Sequence, residues 1–364
     1  MTEPLKTRQI CFFFVALLPV AKFFTAPSVT CGVCGEDLWI SALLNGLADI
    51  LTVGALYFLL RDENCDFFTL VENFFGKAVA KTVAAFYIVF FLIKTVLPMN
   101  EVKNYVELTL YITSPNIMTF MPVFIAVFYI AVKRLRVVGR ISDGILPIAV
   151  AGYFFTFLLS VSDADFGAIL PVGARGTYSI LDGAYSSSVW FTDGAYFLFF
   201  VGNYVKGKRD GLKILLAAAL SSLIVVAFFI VFYGTFTSIA QRQRFALTEI
   251  SKYTTAINNM ERFDYIPIFA LLFTAIFSLS LPFYFAAELV TRLLPVNRVV
   301  AATAVCAPSV ILLLFFENYF AGIESFTVNL AGGYLLFFGC AFPIAAAILI
   351  KLRKKEKKSE IYRR

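Results

Sequence analysis

The residues of this chain that could do chemistry in an apolar setting fall into two groups. The first is Lys22, set between Pro19 and Pro27 in the run Ile10 to Thr30, with Ala21 and Thr25 beside it. The second is Thr192, Asp193, Gly194 and Tyr196, in a run whose apolar core, AYFLFFV, is short. Between them lie Asn45, Asp49, Lys94 and Glu101; Ser278 and Ser280 follow later. Lys94 and Glu101 are seven residues apart, so both lie near one face of a helix. A charge in hydrocarbon is costly unless paired or wetted, which makes each of these residues a binding candidate. Lys22 and Glu101 either pair across a cavity or stand as independent interface charges. Gly194 marks either a backbone break or a close helix contact. Ser278 and Ser280 meet either a ligand or a neighbouring helix.

The chemistry on offer is binding, not bond-making. A helix broken inside a membrane exposes amide donors at one half and carbonyl acceptors at the other. An amino acid zwitterion needs both, for its carboxylate and its ammonium group. The chain has no histidine, which removes histidine-ligated metal, histidine-bound haem and Ser-His-Asp catalysis. No enzyme activity, cofactor or metal is expected. Cys31 and Cys34 form C-G-V-C, the spacing of a redox pair or half a zinc site, but no second pair matches them. They are either a bridge or two cysteines of a Gly-rich helix end, and reduction is expected to change little.

These residues must be positioned by membrane helices. The 364 residues are 60% hydrophobic and 15% charged, far more apolar than a soluble domain of this length requires. The apolar runs predict an all-α polytopic membrane protein with ten spans, at about 10–30, 39–60, 83–105, 117–132, 141–160, 185–205, 212–236, 266–290, 299–316 and 330–349. Prolines and Lys22 predict that the first span is kinked or broken, with a polar centre facing inward. Phe67 to Lys81 reads as an amphipathic surface segment, Phe166 to Pro171 as a stretch that could re-enter the interface, and 237–264 as an outer segment with a surface helix or two. The basic loops KRLRVVGR and KGKRDGLK, Arg292, Arg298 and the tail 351–364 fall on one side of a ten-span chain, which places both termini in the cytosol. The net charge of +7 belongs to those loops and implies no nucleic acid partner.

Ten spans divide into five plus five, and an odd number per half inverts the second half relative to the first. The repeats are expected at about 8–160 and 185–350, within a single transmembrane domain over 1–350. Weak helices at the equivalent positions one and six then mark a central ligand site. Pro19, Ala21, Lys22 and Thr25 would line it with Lys94 and Glu101 of span three, with Thr192, Asp193, Gly194 and Tyr196 of span six, and with Ser278 and Ser280 of span eight.

Three short motifs add a resemblance: RFALTEISKY at 244–253, MERFDYIPIF at 260–269 and PFYFAAE at 282–288. In this order, with ten expected spans and a short basic tail, they make nearly the whole chain resemble the spore germination permeases, the integral membrane B subunits of nutrient germinant receptors. The resemblance implies the amino acid/polyamine/organocation transporter superfamily and its LeuT-like 5+5 inverted repeat. It also implies a spore inner membrane location, an A subunit and a lipoprotein C subunit as partners, and a small nutrient such as an amino acid as ligand. A secondary active amino acid transporter is the alternative function. A membrane enzyme or purely structural subunit is the weakest, since no catalytic motif is present.

Overall fold

The computed structural model describes residues 5–109, 116–253, 265–315, 325, 328 and 331–363. The first broken element comprises α1 (Thr7–Leu17), a 3-10 turn at Val20–Lys22 and α2 (Ala26–Cys34). It leads into α3 (Leu38–Leu60), a short amphipathic α4 (Phe67–Phe75), α5 (Lys77–Thr109), α6 (Asn116–Val132) and α7 (Leu135–Ser160). The second broken element has α8 (Gly176–Ser186) and 3-10 turns at Ser187–Val189 and Asp193–Phe199. Then come α9 (Asp210–Phe236), α10 (Ala246–Tyr253), α11 (Tyr265–Leu293) and α12 (Arg298–Phe315). The last helix is described from 331, passes through a π turn at Phe337–Ala341 and continues as α13 (Phe342–Arg363). The basic tail expected after residue 350 is therefore a continuation of this helix.

Among the described residues six helices are long and apolar enough to cross a membrane, and Phe120–Val132 and Arg298–Leu313 are shorter apolar helices. One of the six, Ala26–Leu60, runs from the second half of the first broken element through α3.

The two prolines of the first element act differently. Pro19 follows α1 at once; lacking an N–H and crowding the preceding turn, it ends the α-helical ladder and heads a single 3-10 turn. Pro27 lies in the first turn of α2, where its missing N–H would have no intrahelical partner anyway. It starts a helix rather than breaking one. The start of α1 is held by Leu5–Lys6 (β1), which pairs in parallel with Tyr204–Val205 (β2), and by Gln9, whose side chain accepts the Lys6 N–H at 3.1 Å. No apolar periodicity announces two-residue strands.

Packing is organised around α11, which lies against α5, α6 and α7, and around the α3–α9 pair. The α3–α9 contact uses small residues: a Cβ on Gly46 would sit 2.8 Å from the Ser222 hydroxyl, so glycine permits the close approach. Phe67, Phe68, Leu70 and Val71 of α4 are buried, consistent with the amphipathic segment expected there. Within the segment 237–264, expected on the outer side, a 3-10 turn at Thr237–Arg242 and α10 are formed; residues 254–264, with the ERFD part of the second motif, lie outside the described residues.

Candidate functional site

The two breaks face each other at the centre of the bundle. In the second, Thr192 takes the left-handed conformation, φ 60° and ψ 32°. A β-branched residue adopts it rarely and only where its surroundings over-determine it. Here Gly339 of the π turn packs directly against it; a Cβ at Gly339 would lie 2.5 Å from the Thr192 Cβ. The turn at Thr192 aims the next side chain, Asp193, at two ammonium groups. Lys22 of the first break and Lys94 of α5 both pair with it, Lys94 at 2.7 Å. Lys22 also donates to the Leu18 carbonyl at 2.9 Å, and Lys94 to the Phe191 carbonyl. All three side chains are buried. One carboxylate and two freed carbonyls thus satisfy two membrane-buried cations, the arrangement intramembrane charges require.

The partnership of Lys22 with Glu101 is therefore corrected. Glu101 accepts the Trp190 indole N–H at 2.9 and 3.1 Å, while Lys22 meets Asp193. The left-handed turn at Thr192 places the closer carboxylate against Lys22. Asp49 of α3 joins from the other side, its Oδ1 accepting the Gly194 N–H at 2.8 Å. Gly194 itself has no left-handed φ. A Cβ there would lie 2.8 Å from the Thr52 Cβ and 3.2 Å from the Asp49 carbonyl oxygen. Of its two readings, close helix contact is the one found; the break is at Thr192.

Two cavities of about 20 Å³ each flank Asp193. Each has room for about one water. The first lies between the first break, α5, the second break and α11, and is lined by Leu18, Ala21, Lys94, Trp190, Tyr196 and Ser278 among others. The second lies toward α3 and α9, against Lys22, Asp49, Asp193, Ser221 and Ser222. So Ala21, Lys94, Asp193, Tyr196 and Ser278 of the expected set come together at the first cavity. Pro19 heads the 3-10 turn and accepts the Lys22 N–H at 2.9 Å. Thr25 stands at the start of α2, its buried hydroxyl without a hydrogen-bond partner. Thr192 accepts from Lys94 at 3.4 Å through its hydroxyl. Ser280 turns back to the Phe277 carbonyl at 2.6 Å, a packing hydroxyl rather than a cavity one. Ser221 and Ser222 went unnoticed in the sequence, although adjacent hydroxyls in a long apolar run are a usable signal.

Two aromatic clusters pack against the breaks, one at the Phe24 end of the first and one at the Tyr196 end of the second. At one end Phe24, Tyr105 and Phe245 stack edge to face, with centroids 5.2 and 5.6 Å apart. The first amides of α10 cap the open carbonyls of the first break there: Ala246 N–H donates to Phe24 at 2.9 Å and Leu247 N–H to Phe23 at 3.0 Å. At the other end Phe285 of α11 is ringed by Phe91, Tyr196, Phe199 and Phe200. Beside that cluster opens a vestibule of about 980 Å³, bordered by Phe199, Tyr284, Lys133, Arg134, Arg136 and the Asp66, Glu288, Arg292 and Arg298 network. Burial alone would raise the Asp66 pKa, but two bonds from Arg292 and the Thr69 N–H outweigh it and hold the carboxyl below its ordinary range.

Cys31 and Cys34 are buried free thiols one turn apart on α2; the Cys34 thiol donates to the Thr30 carbonyl at 3.1 Å. Among the described residues no group of three or more His, Cys, Asp or Glu could hold a metal.

A family model described as "Spore germination protein" matches residues 5–321. Spore germination protein YndE of Bacillus subtilis (strain 168) is 22% identical over 233 residues, 63% of each chain. Spore germination protein GerQB of Bacillus cereus is 24% identical over 241 residues, 64% of each. The matched region thus spans a little under two thirds of these relatives' length. Among solved structures, MhsT in complex with L-phenylalanine superposes with a TM-score of 0.61 over 97% of this chain and 99% of that one, at 12% identity. The manganese transporter of Eremococcus coleocola, in complex with an aromatic bis-isothiourea substituted compound, gives 0.52 over 95% and 78%, at 11% identity. At such identities the likeness is one of fold: an all-α polytopic membrane protein resembling the LeuT-like fold.

Proposed function

The chain belongs to the spore germination protein family, and from that premise we propose that it binds a small amino acid in the first central cavity and carries it across the membrane as a secondary active transporter. The observation that carries this reading is the Lys22–Asp193–Lys94 cluster, which joins both breaks beside a closed cavity. A zwitterion can replace these internal pairs group for group. Its carboxylate takes the ammonium of Lys94, its ammonium takes Asp193, and Ser278 and Tyr196 bound its side chain. At about 20 Å³ the cavity holds no amino acid as it stands, so binding must part the pairs and enlarge it. The likeness to MhsT, solved in complex with L-phenylalanine, supports an amino acid as ligand.

The reading includes ten crossings in an inverted five-plus-five arrangement, both termini in the cytosol, and the vestibule opening there. The basic residues at its mouth support that orientation. A second reading is favoured by the family: a nutrient-sensing subunit in the spore inner membrane, with an A subunit and a lipoprotein C subunit, whose ligand triggers germination.

The test is binding of each common amino acid to the purified protein, read as a rise in melting temperature, followed by flux into vesicles holding this protein alone. Binding with flux is expected. Binding without flux, together with a germination defect in spores lacking the gene, supports the receptor instead. Absence of binding by every amino acid refutes the amino acid site and the transporter reading.

A further inference from the structure

The second cavity contains a group that the central pairs leave over. Asp49 is buried within the membrane region, with one oxygen on the Gly194 N–H. Both lysines of the cluster spend their salt bridges on Asp193, and among the described residues no cationic nitrogen lies within 4 Å of Asp49. Its carboxylate borders a space for about one water, with Lys22 and the hydroxyls of Ser221 and Ser222 on the other walls. An ionised carboxylate with so few partners is poorly compensated in a dry interior. The ammonium of Lys22 on the same wall repels a metal cation. A proton needs no coordination shell and fits.

We propose that Asp49 is a proton-binding site that sets the charge of the central cluster and so links protons to the occupant of the first cavity. The groups facing Asp49 are Lys22 from the first break, Lys94 from α5, Asp193 and Tyr196 from the second break, and Cys340 from the π turn; α9 presents the serines. With Asp49 ionised, two ammonium groups face two carboxylates and the cluster is balanced. When a proton from the aqueous phase adds to a lone pair of the Asp49 carboxylate, no other bond changes and the cluster gains one net positive charge. It then favours a ligand of net negative charge, such as an acidic amino acid, in the first cavity across Asp193. The linkage is reciprocal: a bound ligand of net negative charge draws a proton onto Asp49. The proton site stands on the geometry of Asp49 alone, whereas the coupling rests on the amino acid reading above.

Infrared titration of the full chain in lipid nanodiscs tests the site without any ligand. A carboxylic acid C=O band should grow as pH falls, shift in heavy water, persist in Glu101→Gln and vanish in Asp49→Asn, which keeps an acceptor for the Gly194 N–H. Asp49→Glu, which should move the band rather than abolish it, guards against misfolding of the amide variant. Superimposable titrations of the parent and both Asp49 variants would overturn the proposal. Coupling is read with L-aspartate as probe: affinity should tighten about fivefold or more at low pH. In Asp49→Asn it should hold the tighter value at every pH. Equal pH dependence in the parent and Asp49→Asn overturns the coupling. An Asp49 band that titrates while no amino acid binds upholds the proton site and refutes the amino acid reading alone.

Discussion

Asp193 is the residue on which the centre depends, because among the described residues it is the carboxylate that pairs with both Lys22 and Lys94. Removing one partner of a buried pair strands the other charge, at a cost of about 3–5 kcal/mol. Asp193→Asn should therefore destabilise the purified protein more than Lys22→Met, which leaves Lys94 paired with Asp193. The Lys22→Met, Asp193→Asn double variant should fall short of the summed losses, and Lys22→Met with Glu101→Gln should be additive, as unfolding measurements can determine. Additivity in the first cycle, or strong coupling in the second, would contradict the pairing found. A second titration belongs to the vestibule. The depressed Asp66 pKa means that its bond to Arg292 stabilises the fold fully above the unfolded carboxyl value of about 3.9 and is lost as pH falls through the lower folded value. Melting temperature should drop more steeply below about pH 4 in the parent than in Asp66→Asn; parallel curves would exclude this linkage.

The elements explain why these side chains meet. A continuous helix would bury Lys22 with its own carbonyls already engaged; the stop at Pro19 frees the Leu18 carbonyl for it. The price is open backbone at Phe23 and Phe24, which the first amides of α10 satisfy. That contact ties α10 to the first break. Gly194 tests the other break. Valine there meets Thr52 and the Asp49 backbone, since the added Cβ begins inside contact distance. Gly194→Val should lower the melting temperature markedly, and Thr52→Ala in the same chain should recover part of the loss. Absence of any recovery would mean that the backbone contact, not Thr52, sets the limit.

On the scale of the whole molecule, two aromatic clusters pack against the breaks, one under α10 and one at Phe285, with the vestibule bordering the second through Phe199 and Tyr284. Five aromatic rings meeting at Phe285 make that cluster the larger, and Phe285→Ala should join cavity and vestibule. A water-soluble thiol reagent applied from the vestibule side should then modify Ser278→Cys far faster than in the parent background; unchanged rates would place the barrier elsewhere. The direction of the vestibule is settled by labelling. Arg134→Cys at its mouth should resist an impermeant reagent added outside sealed cells and react once they are opened. The outer counterpart near Asn318 lies outside the described residues.

Composition and charge placement determined that this is a polytopic helical membrane protein, because sixty percent hydrophobic residues leave no soluble alternative. The sequence also determined where the helices break, since proline chemistry at Pro19 and the short apolar core after Asp193 act within a few residues. Lys22, Lys94 and Asp193 were legible as candidates for the same local reason: charge in an apolar run. Which carboxylate meets Lys22 was not legible. Spacing along a helix gives the face within that helix, but not its rotation toward another element, and both Glu101 and Asp193 lay within plausible reach. That choice was made by the left-handed turn at Thr192, held by the Gly339 contact from the far end of the chain. The pairing of β1 with β2 and the capping of the first break by α10 were likewise decided only in the fold, because each joins segments about two hundred residues apart through backbone groups that every residue carries.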